Sequence, residues 1–321
     1  MHLLRVAGEE REFVVKEVVQ ADAGKEMRAL VALLQRNELQ FYRTVAGARL
    51  PVPAALYPTA EVPLAAGGPV PLLAMERVQG MAIGDFVEGL TVEEARAALA
   101  AAARLHGSTG HFRLAGEADE AYYSAWSTAN CHLDFVVGLF AELRPRLEAE
   151  LEEKAGGGWA ALLDELSARV PEVYEATHGG SRTSKALCNG DLWMNNVLLG
   201  GGRAVLLDFQ FSGFLSPALD VALLLHSSMD AAEREAAEEG LLHHYHTCLC
   251  AAGVDGSRFP FATLRREYDG WGVSGAAMIM VASFDACYEG VVAGRPEAAA
   301  RLLPRLQAAL RAAHAGMAAC Q

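Results

Sequence analysis

The sequence predicts an α+β fold, with a small antiparallel-sheet unit ahead of a larger, mainly helical one. Three observations carry that reading. Strand-like, β-branched runs crowd the first 78 residues, and long helical periodicities fill the chain from Thr91 onward. A single glycine-turned hairpin, with strands Asn196–Leu199 and Ala204–Phe209, interrupts the helices.

His2–Val6 and Phe13–Val19 read as two strands around Gly8-Glu9-Glu10, with Val14, Val15, Val18 and Val19 supplying β-branched side chains. From Glu26 to Val45, apolar residues at Met27, Leu30, Val31, Leu34, Leu39 and Val45 follow helical spacing. The prolines of "LPVPAALYP" stop that helix, because they lack an amide hydrogen and restrict the residues before them. Short strands follow at Ala54–Tyr57 and Leu72–Arg77, separated by Gly67-Gly68-Pro69. Thr91-Val92-Glu93-Glu94 has capping-box form and opens an Ala-rich helix that runs to His106-Gly107. Helical spacing returns over 131–153, 159–175, 218–251 and 261–312, broken most clearly by Gly156-Gly157-Gly158 and Gly179-Gly180. Gly200-Gly201-Gly202 precedes a strand rather than a helix, so it reads as a hairpin turn and not as a phosphate loop. The division falls at 1–78 and 79–321.

With 321 residues the chain buries a sizeable core. Its formal charge of −13 argues against a nucleic-acid partner and against docking on anionic lipid. No apolar run approaches the roughly 20 residues that span a bilayer. The six cysteines (131, 188, 248, 250, 287 and 320) show no disulfide-scaffold spacing and read as reduced thiols, which favours a cytoplasmic protein. Oligomeric state leaves no mark in the sequence.

The chemistry concentrates in "CNGDLWMNNVLL", residues 188–199, and in "AVLLDFQF", residues 204–211. A bland core segment does not choose Asp191, Asn195 and Asn196, because unmatched buried polar groups are costly. Antiparallel pairing through the glycine turn brings Asn196 and Asp208 to one end of the hairpin, with Asp191 just before it. These three form an oxygen-rich set without cysteine or histidine, which suits Mg2+.

The paired strings Asp-Leu-Trp-x-Asn-Asn and Asp-Phe-Gln resemble the ecdysteroid kinase-like family, also called CHK kinase-like. That family sits within the choline kinase and aminoglycoside phosphotransferase group, which has a two-lobed protein-kinase-like fold. The resemblance implies a small-molecule kinase that uses ATP and Mg2+ to phosphorylate a hydroxyl acceptor. It implies Asp191 as catalytic base, and Asn196 and Asp208 as metal ligands. Phosphoryl transfer needs an aligned hydroxyl and positive charge against the phosphate oxygens. By the same resemblance Lys16, in "FVVKEV", touches nucleotide phosphates, and Glu38, in "NELQFYRTV", pairs with that lysine. "LLAMERV" matches the connector whose backbone near Glu76 and Val78 binds adenine, and Asp220 in "PALDVALLL" braces the catalytic loop. Two features depart from the pattern. Asn189 stands where the family usually has histidine, and only one strand precedes the Lys16 strand. The second departure leaves the small lobe short of its first strand and phosphate-covering loop, as in a chain that starts late.

Other clusters carry less. His243, His244, His246, Cys248 and Cys250 point around several faces of one helix, a poor arrangement for zinc. His106 reads as a packing residue. For the acceptor, Trp193 beside Asp191 and the run "YDGWGVSGAAMIMVASF" suggest an apolar wall of Trp271, Val273, Met278 and Met280. Tyr122, Tyr123, Trp126 and Tyr268 read equally well as packing. The expected acceptor is neutral or weakly polar; a polycation needs converging carboxylates, for which Asp269, Asp285, Glu117, Asp119 and Glu120 are the candidates. An aminoglycoside-type phosphotransferase and an inactive nucleotide-binding pseudokinase are the alternatives.

Overall fold

A computed structural model describes residues 2–5, 12–16, 25–45, 48–53, 55–62, 70–117 and 133–319. The turns at Gly8–Glu10 and Gly67–Pro69, the expected strand end at Val18 and Val19, and Asp119, Glu120, Tyr122, Tyr123 and Trp126 lie outside the described residues.

Strands β1 (His2–Arg5), β2 (Glu12–Lys16), β3 (Ala55–Val62) and β4 (Val70–Glu76) form one antiparallel sheet in the order β1-β2-β4-β3. β3 continues past its expected end at Tyr57, straight through Pro58. It is an edge strand with two register shifts, where a residue without an amide hydrogen costs no ladder bond. Helix α1 (Lys25–Thr44) buries Leu34, Asn37, Glu38 and Phe41 on adjoining faces. Asn37 and Glu38 are therefore polar residues buried among apolar ones.

The remainder is mainly helical. The capping box of α2 (Val92–Ser108) is present, with Glu94 N donating to Thr91 Oγ1 at 3.3 Å and Thr91 N to Glu94 Oε2 at 2.9 Å. Its buried alanines let α2 lie against neighbouring elements. Helices α3 (Leu133–Ala155) and α4 (Trp159–His178) follow, and then two small antiparallel pairs. One is the expected hairpin, β6 (Val197–Gly200) with β7 (Arg203–Leu206), turned by Gly201 and Gly202 at φ +57° and +69°. Its second strand ends at Leu206 rather than Phe209, because the chain leaves the ladder to form the Asp208 turn. The other pair, β5 (Ala186–Cys188) with β8 (Gly213–Leu215), is absent from the sequence reading. Each strand is three residues long and wholly buried, so neither shows alternation.

Helices α5 (Pro217–Ser228) and α6 (Ala231–Ala251) divide the expected 218–251 stretch, because Asp230 accepts from Ala232 N and Glu233 N and caps a new helix. The last stretch breaks into α7 (Phe261–Glu267), α8 (Val273–Ala282), α9 (Gly290–Gly294) and α10 (Ala299–Ala319), with π turns at Tyr268–Gly272 and Asp285–Glu289. Among the described residues no single helix is long and apolar enough to cross a membrane. Helix α5 is buried from end to end.

Candidate active site

β5 delivers Cys188 to the tight turn Asn189-Gly190-Asp191. Gly190 sits at φ +81°, and a Cβ there would overlap the Phe211 carbonyl, so only glycine fits. Asp220, in the first turn of α5, holds the turn from beneath. Its Oδ2 accepts from Asn189 N at 2.7 Å and its Oδ1 from Gly190 N at 2.9 Å. His106 Nε2 lies 3.2 Å from the same carboxylate, and His106 Nδ1 is 2.7 Å from the Tyr245 hydroxyl. His106 is thus fully buried behind the loop, as a packing residue.

Met194–Asn196 makes one 3₁₀ turn, pinned where Met194 N donates to Ser228 Oγ at 3.0 Å. Asn196 Nδ2 donates to the Asp191 backbone carbonyl at 2.7 Å and to Asp191 Oδ2 at 3.1 Å. Leu207 N donates to Asn196 O at 2.8 Å, which closes the hairpin and sets Asp208 beside Asn196 as the strand pairing required. Asp208 has φ +54°, unusual for a residue with a side chain although Asp tolerates it better than most. Asn189 holds that turn. Its Nδ2 donates to Leu207 O and Asp208 O at 3.0 and 3.2 Å, while its Oδ1 accepts from Asp191 N at 3.1 Å. The residue in the place of the family's histidine thus ties the two loops together through neutral hydrogen bonds.

The sheet and α1 complete the group. Lys16 Nζ lies 2.9 Å from Glu38 Oε2 and 3.0 Å from Asp208 Oδ1, across 192 positions of sequence. Glu38 is 2 % exposed and also accepts from Phe209 N at 3.3 Å. Asn37 Nδ2 donates to Gln210 O and Ser212 O, and Phe41 stacks on Phe209 with ring centroids 3.6 Å apart. Helix α1 therefore grips the whole Asp208–Ser212 loop. Burial works against the Lys16 ammonium, but Glu38 and Asp208 outweigh it and hold its pKa above the usual lysine value. Burial pushes the Glu38 carboxyl up against the pull of Lys16. At Asp191, burial and then the charge of Asp208 push the pKa up to about 7, although the Asn196 hydrogen bond opposes them.

Glu76 and Val78 stand apart from this group. Lys16 pairs with Leu73, so Glu76 lies three residues, about 10 Å, along β4. The Arg77 amide between them is committed to Glu12 O at 2.9 Å.

On the other side of Asp191 opens a cavity of about 350 Å³, lined mainly by apolar side chains. Trp193 and Met280 line it as expected, but Trp271, Val273 and Met278 do not. Val273 and Met278 are core residues, and the Trp271 ring packs against the guanidiniums of Arg169 and Arg182. α8 turns Ile279, Met280 and Ala282 to the cavity instead, Ser283 just after it joins them, and α3 and α10 add Phe135, Leu139 and Leu302. Asp191 is the only carboxylate in the described lining. Of the candidate acidic residues, Asp269 pairs with Arg265 at 2.7 Å and Glu117 pairs with Arg258.

Several residues here escaped the sequence reading. Asn37 had a signal, an amide on the same helical face as Leu34 and Phe41. Phe209 and Ser228 had none, being one aromatic and one serine among many.

The matched-family model, described as the ecdysteroid kinase-like family, covers residues 5–252. No curated protein matches the sequence. Among solved structures, a Plasmodium vivax ethanolamine kinase superposes with a TM-score of 0.53 at 12% identity, over 96% of this chain and 77% of that one. A microcompartment-associated aminopropanol kinase gives 0.52 at 15% identity, over 99% of this chain and 89% of that one. At such identities the likeness is one of fold, the two-lobed α+β architecture of protein-kinase-like enzymes. With the family model spanning well over half of its length, the chain belongs to the ecdysteroid kinase-like family.

Proposed function

We propose that the protein is an ATP- and Mg2+-dependent phosphotransferase acting on a hydroxyl group of a small molecule. The observation that carries this reading is the Lys16 ammonium, held within 3.0 Å of both Glu38 and Asp208. One positive charge is fixed at the edge of an oxygen-rich group, which is what polyphosphate positioning demands.

The residues fit the cation. Asn196 commits its amide nitrogen to Asp191, leaving the amide oxygen for a metal, and the Asp208 side chain is 39% exposed. Both are hard oxygen donors, as Mg2+ prefers. The mutual repulsion that raises Asp191 is relieved when a cation joins Asp208. When bound, MgATP supplies the phosphoryl group and the charge that steadies it. Lys16 would hold phosphate oxygens, and Asn196 and Asp208 the metal, with adenine lying along the backbone at Glu76 and Val78. Asp191 would take the proton from the acceptor hydroxyl and orient that oxygen for the transfer, with ADP as the leaving group. The Asp191 carboxylate, held by the Asn196 amide at 3.1 Å, is placed to accept that proton.

The cavity beside Asp191 would take the acceptor. Its lining favours a neutral or weakly polar molecule over a polycation, since no second carboxylate faces it among the described residues. Calorimetry with ATP, with and without Mg2+, tests the nucleotide half; absence of any magnesium-dependent binding overturns the reading. ATP consumption with a panel of sterols, sugars, choline and aminoglycosides tests the acceptor. Turnover confined to the polycations would reverse the preference.

A further inference from the structure

The cavity carries a buried guanidinium that the proposed chemistry does not use. Arg305, on α10, lines the cavity and is 2 % exposed. A buried charge usually brings an opposite one with it, because burial without a partner is expensive. Among the described residues no carboxylate lies within ion-pair reach of Arg305. Its Nη1 donates to Phe86 O at 2.7 Å and to Ser227 O at 3.4 Å, and its Nη2 to Val87 O at 2.8 Å. Its Nε has no partner, and burial pulls its pKa down to about 10. The chain closes tightly over the group, since a Cβ on Gly89 would meet Nη2.

What the guanidinium holds explains the arrangement. Its carbonyl partners belong to the 86–87 segment and to the end of α5, and both segments wall the cavity. The Phe86 ring, 5.8 Å from the guanidinium carbon, meets Trp193 edge-to-face with centroids 5.0 Å apart. Trp193 stands two residues from Asp191. A planar fork can hold two carbonyls in a fixed relation, whereas an ammonium cannot.

We propose that Arg305 is a positioning residue of the acceptor pocket: by bridging the Phe86 and Val87 carbonyls to α5, it sets the Phe86–Trp193 wall against which the acceptor lies. The proposal rests on the cavity being the acceptor site. The chain's affinity for apolar alcohols therefore depends on Arg305, while nucleotide affinity does not.

The test uses the full chain with 2-naphthol, a fluorescent apolar alcohol, and separately with MgATP. Arg305→Met weakens 2-naphthol about tenfold and leaves MgATP within about twofold, and Arg305→Lys recovers only part of the loss. Phe86→Ala weakens 2-naphthol by a similar factor. Because Arg305 acts through Phe86, the double variant binds no more weakly than Phe86→Ala alone. Losses that multiply to about a hundredfold in the double variant would overturn the proposal. So would equal losses of 2-naphthol and MgATP, the mark of a merely structural residue. If Arg305→Met does not fold, the same cycle runs with Arg305→Lys. Failure of the wild-type chain to bind 2-naphthol, with MgATP binding intact, removes the pocket and this proposal but leaves nucleotide chemistry standing. Binding of 2-naphthol with the predicted cycle but without MgATP removes the kinase reading and leaves Arg305 in its role.

Discussion

The two sides of Asp191 are built from opposite materials. Toward Lys16 the site is charged and braced, with Lys16 2.9 and 3.0 Å from Glu38 and Asp208, and Asn196 donating to Asp191 at 3.1 Å. Toward Trp193 it is an apolar space of about 350 Å³, whose wall draws on several helices. On the proposed function, the difference follows from what each side recognises. Holding phosphate and metal requires particular donors at particular distances, and few residue types can substitute. Enclosing an apolar body requires volume and desolvation, which many side chains supply equally well.

The sharpest way to break this comparison is at its centre. Asp191→Ala is expected to lower turnover by about 10³-fold or more while MgATP affinity stays within about twofold. Asp208→Ala should instead weaken MgATP itself. Equal losses of nucleotide binding, measured by calorimetry, would contradict the division of roles.

Lys16→Met attacks the charged side. It leaves Glu38 buried without its cation and is expected to cost about 3 kcal/mol of stability, read by denaturant unfolding. Burial already raises the Glu38 pKa, so the unpaired carboxyl gains a proton as pH falls. The loss is therefore smaller at pH 5 than at pH 8. A pH-independent loss would show that the pair matters only for packing.

The pH dependence of catalysis separates the sides further. Asp191 must be ionised to accept a proton, so kcat/KM for the acceptor is expected to fall about tenfold per unit below the apparent pKa of Asp191, which a cation at Asp208 brings below its metal-free value of about 7. Stability runs the other way. A carboxyl raised in the folded state favours folding when protonated, and that contribution is lost as pH rises through about 7. Asp191→Asn should therefore raise the Tm more at pH 8 than at pH 5.

Smaller effects belong to the apolar side and to the joint between loops. Met280→Trp fills the cavity and should raise acceptor KM about tenfold, with MgATP affinity unchanged. A matching change in both would mean that the cavity is not separate from the nucleotide side. Asn189→His restores the family's usual residue and should alter kcat by no more than about threefold, since either side chain can donate to the Leu207 and Asp208 carbonyls. A large loss would show that the amide's second bond, from Asp191 N, is indispensable.

The charged side was legible as letters. Asp191, Asn196 and Asp208 were placed together from a glycine turn and a strand pairing, because hairpin register is local and obeys simple geometry. Lys16 and Glu38 followed from the family resemblance, and the fold brings them to the same point. Asn37 went unnoticed beside Glu38, although an amide on an apolar helical face signals a buried partner. Strands β5 and β8 were invisible, because three buried residues have no period to detect. The apolar wall was mostly misread. Trp271, Val273 and Met278 have the right chemistry, but two π turns set which face of α8 meets the cavity.

By itself, then, the sequence determined the α+β class, the family, the hairpin and the polar residues around Asp191. Each of these depends on residue identity or short-range spacing. Only the tertiary structure decided that α1 grips the Asp208 loop, which apolar residues enclose the cavity beside Asp191, and that Arg305 reaches Phe86 across more than 200 positions. Those outcomes depend on how distant elements stack, and burial by long-range packing leaves no periodic trace in the chain.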